Sequence, residues 1–74
     1  MEIERRDRMY ANLANELRNK KITNRVIAEL IGCDEKTVFN KLSGKSDFTI
    51  TEGLLIRHNV LPEFDMDYLF TRNA

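Results

Sequence analysis

The chain has 74 residues, with 12 Lys+Arg against 12 Asp+Glu and a formal net charge of zero. At 42% apolar and 32% charged residues it has the composition of a small globule, not of a disordered tail. That length holds one domain with one small core and excludes a two-lobed enzyme. Zero net charge by itself also speaks against a nucleic-acid partner.

Cys33 is the one cysteine, so neither an internal disulfide nor a cysteine-based zinc knuckle is expected. A lone thiol suits a reducing compartment, and a cytoplasmic location is expected. The first eight residues are a charge cluster without an apolar stretch, so neither a signal peptide nor a membrane anchor is expected. Gly32, Gly44, Gly53 and Pro62 are the only strong punctuators, which predicts helices joined by short turns.

The first predicted helix runs from about Asp7 to Asn19. Leu13 and Leu17 lie four apart, with Met9, Tyr10 and Ala14 widening the apolar face. The second covers Asn24 to Ile31, with Thr23 as N-cap and Gly32 as the left-handed residue that ends it. The third covers Glu35 to Leu42, capped by Asp34 and ended by Gly44. Phe48 is expected to plug the core. Thr49 and Glu52 have capping-box spacing and open a fourth helix from Ile50 to about His58. Its expected core residues are Ile56 and either Leu54 or Leu55, and Gly53 allows close approach of another helix. Asp65 is expected to cap a last helix, Met66 to about Phe70, with Leu69 and one of Tyr68 or Phe70 inward. The ends, 1–5 and 71–74, are expected to fray.

The informative unit is the pair Asn24–Ile31 and Glu35–Leu42, joined by Gly32-Cys33-Asp34. A three-residue turn packs two short helices at a steep angle, the arrangement that reads a DNA major groove. At about 100° per residue, a buried stripe centred between Val38 and Leu42 puts Asn40 directly outward. Lys36 lies within about 40° of Asn40, and Thr37 and Ser43 about 60° to each side. Lys donates to guanine O6/N7, Asn bonds adenine N6/N7, and Glu35 accepts from a cytosine amino group. Phe39, at the flank of the inner stripe, either covers the core or meets a thymine methyl or a partner chain. The plain alternative for this face is solvation.

The segment from Ile22 to Lys45 resembles the helix-turn-helix of Cro/C1-type phage repressors, the XRE-like family. The elements that carry the likeness are Thr23, the Ile27-Ala28 pair, Gly32, the Thr37-Val38 step and Gly44-Lys45. The ending Asp65 to Phe70 is similar to the Asp-Tyr-Leu-Phe close of that family's fifth helix. The resemblance covers about residues 9 to 70. It implies an all-α, compact five-helix, lambda-repressor-like DNA-binding domain spanning 1–74, with the helix-turn-helix at about 23–42. It also implies a transcriptional regulator that binds double-stranded operator DNA as a homodimer, of phage or prophage type. The base-reading positions are then Glu35, Lys36 and Asn40, to which the helix face adds Thr37 and Phe39. The phosphate-contacting set is Thr23, Asn24, Arg25, Lys41, Ser43, Gly44, Lys45 and Ser46. Asn24 stands where Gln is usual, Glu35 puts an acid at the DNA surface, and Cys33 takes a position that is often Val or Ile. These departures bear on the operator sequence more than on the fold.

Charge is unevenly placed. Residues 18–45 carry seven bases against three acids, or +4, while 1–17 sum to −1 and 46–74 to −3. Positive charge thus gathers on the reading unit, where counterion release favours phosphate binding. The dimer surface is expected at Val60, Leu61, Pro62, Tyr68 and Phe70. No catalytic residues, metal site, cofactor or small-molecule substrate is expected. His58 is the sole histidine, Cys33 is not placed beside it, and no glycine-rich phosphate loop is present. The competing expectation is a non-enzymatic protein-interaction module, antitoxin-like or an assembly adaptor.

Overall fold

The computed structural model describes residues 9–72. They form five helices: α1 (Ala11–Asn19), α2 (Asn24–Ile31), α3 (Glu35–Leu42), α4 (Ile50–Val60) and α5 (Met66–Leu69). The chain is all-α, and no helix among the described residues is long and apolar enough to cross a membrane.

Local chemistry sets most helix ends. The Thr23 hydroxyl accepts from the Val26 N–H at 3.3 Å, and Asp34 Oδ1 accepts from the Thr37 N–H at 2.8 Å. Thr49 and Glu52 complete a reciprocal capping box, with bonds of 3.1 and 3.0 Å. Each cap satisfies backbone donors that the first turn leaves free. Gly32 ends α2 at φ 80°, a conformation that is relaxed only without a Cβ. α1 ends with the same handedness but without glycine. Lys21 has φ 60°, while Lys21 N–H donates to Arg18 O and Ile22 N–H to Leu17 O. The paired bonds hold a lysine in a left-handed conformation that costs about 1 kcal/mol.

The core is Tyr10, Leu13, Leu17, Ile27, Ala28, Val38, Ile56, Leu61 and Leu69. α2 packs on α3 and α4, α1 on α3 and α5, and α4 on α5. A second apolar knot closes one side. The rings of Tyr10, Phe48 and Phe70 form a triangle with centroids 5.6–5.7 Å apart and tilted or edge-on planes. Polar ties clasp α5 to α1: Asn12 Nδ2 donates to Tyr68 O, and the Tyr68 hydroxyl donates to Glu16.

Several expectations need correction. Described helix begins at Ala11, not at Asp7, and residues 1–8, including Ile3 and the 1–5 end, lie outside the described residues. α4 runs two residues past His58, to Val60. Neither Leu54 nor Leu55 enters the core; both are exposed, because Gly53 and Ile56 occupy the inward side. Leu61, expected at a dimer surface, is fully buried. Phe70 is taken up by the aromatic triangle, and Val60 packs against the core. Asp65 occupies the N-cap position of α5 but makes no side-chain capping bond. At the end of the described chain, the Thr71 hydroxyl donates to Asp67 O, and Arg72 pairs with Asp47 over the Tyr10 ring. Residues 73 and 74 lie outside the described residues.

Gly53 is needed for space. A Cβ there would stand 3.1 Å from Met66 Cε and 3.2 Å from Phe70 Cζ. Met66 can yield, but Phe70 is wedged between Tyr10 and Phe48. Gly53→Ala is therefore expected to forgo the roughly 1 kcal/mol that helix propensity offers. Gly53→Val should destabilise by about 2 kcal/mol through overpacking. Urea denaturation of both variants checks the order.

Candidate nucleic-acid interface

The exposed side of α2 and α3 is built from their capped ends. The three residues between the helices leave no slack, so the caps at Thr23 and Asp34 set where both helices begin. Asp34's carboxyl is held below the ordinary carboxylate value by hydrogen bonds from the Thr37 side chain and then its backbone. Glu35 and Lys36 follow it, both exposed in the first turn of α3.

Asn40, which periodicity points straight outward, is half-buried. The chain after α3 turns back onto its backbone carbonyl. Lys45 N–H and Ser46 N–H donate to the Asn40 carbonyl at 2.9 and 3.3 Å, and the Ser43 hydroxyl donates to it at 3.1 Å. Gly44, at φ 91°, makes that turn possible. Thr37 and Ser43 are also half-buried, while Lys45 and Ser46 stand exposed at the tip of the turn. Phe39 is 58% exposed and does not join the core.

Beside Phe39 lies an open hollow of about 500 Å³ between α1, the start of α2 and the end of α3. Met9, Ala14, Leu17, Ile22, Phe39 and Leu42 give it an apolar floor. Arg18, Lys21, Thr23, Asn24 and Ser43 complete its lining. The left-handed Lys21 therefore stands at this hollow. Sequence periodicity could not have found the hollow, since its wall comes from three helices.

Not every base of the central segment is available. Lys41, expected at phosphate, is turned inward: its Nζ donates to Asp47 O at 2.8 Å and pairs with Glu52 Oε1 at 3.1 Å. It also lies 5.8 Å from the centroid of the Phe48 ring. Lys20 is likewise taken, donating to Val60 O at 3.0 Å and pairing with Glu63 at 2.6 Å. Arg25 reaches Glu29 at 3.6 Å, but both stay well exposed, so the pair is loose. Arg18, Lys21, Lys36 and Lys45 pair with no acid among the described residues. They and Arg25 are the cations this side offers to an anion.

Of the residues expected to carry function, Glu35, Lys36 and Phe39 share the exposed side of α3. Thr23, Asn24 and Arg25 stand at the start of α2, and Ser43 to Ser46 lie past the end of α3. No group of three or more His, Cys, Asp or Glu positioned to hold a metal occurs among the described residues. Cys33 is half-buried, and burial first, then the Asp34 and Glu52 charges, pushes its thiol up. That suppresses thiolate and leaves it a weak nucleophile.

The Lys41–Glu52 contact joins the end of α3 to the start of α4. Burial pushes the Glu52 carboxyl up. Hydrogen bonds from the Thr49 N–H and from Lys41 outweigh it and hold the group below its ordinary value. A carboxyl lowered on folding stabilises the fold above its unfolded pKa, and that contribution is lost as pH falls through the lowered folded value. Glu52→Gln should therefore cost stability at pH 7 and flatten the loss of Tm on acidification. Lys41→Ala should cost about 1–2 kcal/mol. Thermal melts from pH 7 to pH 3 test both.

Compared with protein-family models, curated proteins and solved structures, the chain has no match.

Proposed function

We propose that the chain is a sequence-specific double-stranded-DNA-binding regulator of transcription, with α2 and α3 acting as a helix-turn-helix of the Cro/C1 repressor kind. The observation that carries this reading is the placement of Glu35 and Lys36. They stand exposed at the start of α3, flanked by polar groups that suit a phosphate backbone. On one side are Thr23, Asn24 and Arg25 at the capped start of α2. On the other are Ser43, Gly44, Lys45 and Ser46, where the turn is held over Asn40. Phosphate contacts fix register, and base-edge contacts choose sequence. Lys36 donates to guanine O6/N7, Glu35 accepts from a cytosine amino group, and Phe39 meets a thymine methyl. Thr37 and Asn40 reach base edges from their half-covered positions, the Asn40 amide matching adenine. Lys41 leaves the phosphate set because it is committed to Asp47 and Glu52. Two copies on half-sites about 34 Å apart would occupy promoter DNA and block polymerase.

A second reading, a protein-interaction module without enzymatic activity, is favoured by one observation. Phe39 is 58% exposed beside an apolar hollow. Such a patch suits an apolar side chain of a partner.

A salt titration against random duplex separates the two. The regulator binds with log affinity falling steeply as log salt rises. Absence of binding even at low salt would sink the DNA reading. With a cognate duplex selected from a random pool, Asn40→Ala should lose about 1–3 kcal/mol and discriminate less, while Lys45→Ala should weaken all sequences alike. Equal losses for Asn40→Ala on cognate and random DNA would refute its base-reading role.

A further inference from the structure

The hollow between α1, the start of α2 and the end of α3 measures about 500 Å³, within the roughly 300–1,000 Å³ usual for small-molecule sites. Its floor is apolar, and Phe39 stands beside it as an exposed wall. Of the two tyrosines and four phenylalanines, all but Phe39 pair with another ring. Tyr10, Phe48 and Phe70 close on one another, and Phe64 stacks on Tyr68. Phe39 is therefore the one ring whose face is left to an outside partner.

The rim is basic. Arg18 and Lys21 border the hollow, both exposed, and neither pairs with an acid among the described residues. No carboxylate side chain contributes to the lining. Lys20 and Lys41, by contrast, are each neutralised by a glutamate. Lys21 also holds φ 60°, a conformation uncommon for a residue with a Cβ and relaxed for glycine. A side chain kept at such a position beside a cavity points to a use for that side chain.

We infer that this hollow binds a small aromatic carboxylate. The ligand ring lies against Phe39, with the Met9 thioether and Leu42 completing the apolar contacts. The carboxylate meets the Arg18 guanidinium and the Lys21 ammonium. Each half of the ligand answers a different half of the site. A neutral aromatic leaves both cations unpaired, and a compact inorganic anion leaves Phe39 and the apolar floor uncovered. A flat, rigid body also loses less freedom on binding than an acyl chain does. The second hollow, about 380 Å³ beside α4, lacks both features. No phenyl ring lines it, and the Nε of its Arg57 is already held by the Phe64 carbonyl. Thr23, Asn24 and Ser43 belong both to the lining and to the expected phosphate contacts, so ligand and duplex compete. That competition rests on the DNA reading proposed above; the binding itself does not.

Titration of the full chain without DNA, followed by amide NMR shifts, tests the binding alone, so its failure leaves the DNA reading untouched. With 2-naphthoate as the probe, the dissociation constant should be about 0.1–1 mM. Shifts should centre on Ala14, Arg18, Lys21 and Phe39 and spare Leu54 and Leu55 at the second hollow. The uncharged analogue 2-naphthalenemethanol should bind at least about tenfold more weakly. Arg18→Gln, Lys21→Gly and Phe39→Ala should each raise the dissociation constant at least about fivefold, with far-UV circular dichroism unchanged. All three side chains are exposed, and glycine relaxes the turn at position 21, so each variant keeps the fold. No saturable shift below about 10 mM overturns the proposal. So does equal affinity for the alcohol, an equal response at Leu54 and Leu55, or unchanged binding in the three variants.

Discussion

α3 has eight residues and one fully buried side chain, Val38. Burying one valine stabilises by about 2 kcal/mol, too little to fix a two-turn helix in orientation. Leu42 adds a partly buried contact with the core, and the ends of α3 supply the rest of the hold. Asp34 caps its start within a three-residue turn from α2. At its finish, the Leu42 carbonyl accepts from the Tyr10 N–H at 3.1 Å, and Lys41 ties the last turn to Asp47 and Glu52. Polar anchoring at both ends frees the outer side of the helix from any packing duty. A helix held by a broad apolar face would have less surface left to offer.

The same logic explains the charges. A net charge of zero conceals a division of labour among the bases. Lys20 and Lys41 act as struts, each bonding a backbone carbonyl and a carboxylate: Lys20 reaches Val60 and Glu63 far along the chain, and Lys41 reaches Asp47 and Glu52 just beyond α3. Arg18, Lys21, Lys36 and Lys45 are left on the side that carries α3, so the central positive charge is smaller than the sequence sum but better placed. Lys21 keeps its site despite a left-handed backbone that a glycine would adopt without strain. On the DNA reading, the side chain is worth more there than the relaxed turn.

α4 shows what a small domain does with surplus apolar residues. Its inward side is set by Gly53, where Met66 and Phe70 approach too closely for a larger residue, and by Ile56. That choice forces Leu54 and Leu55 outward. The aromatic triangle of Tyr10, Phe48 and Phe70 then seals the space between the ends of α3, α4 and α5. The face left over carries Ile50, Leu54 and Leu55 exposed.

The sequence by itself determined what depends on near neighbours. The caps at Thr23, Asp34 and Thr49, the left-handed Gly32 and both ends of α2 and α3 follow from bonds that span three or four residues. Core positions with clean helical spacing, such as Leu13, Leu17, Ile27 and Val38, were legible for the same reason. Only the tertiary structure decided what depends on the residue standing opposite. Apolar residues on both sides of α4 leave periodicity degenerate, so Leu54 and Leu55 could not be told from Ile56. Leu61 follows a helix end, where spacing carries no phase. Asn40 points outward by angle but is half-buried, and its backbone carbonyl is held by the turn that follows α3. The bases read alike in sequence, and Lys20 and Lys41 became struts because Glu63 and Glu52 lie across from them in space.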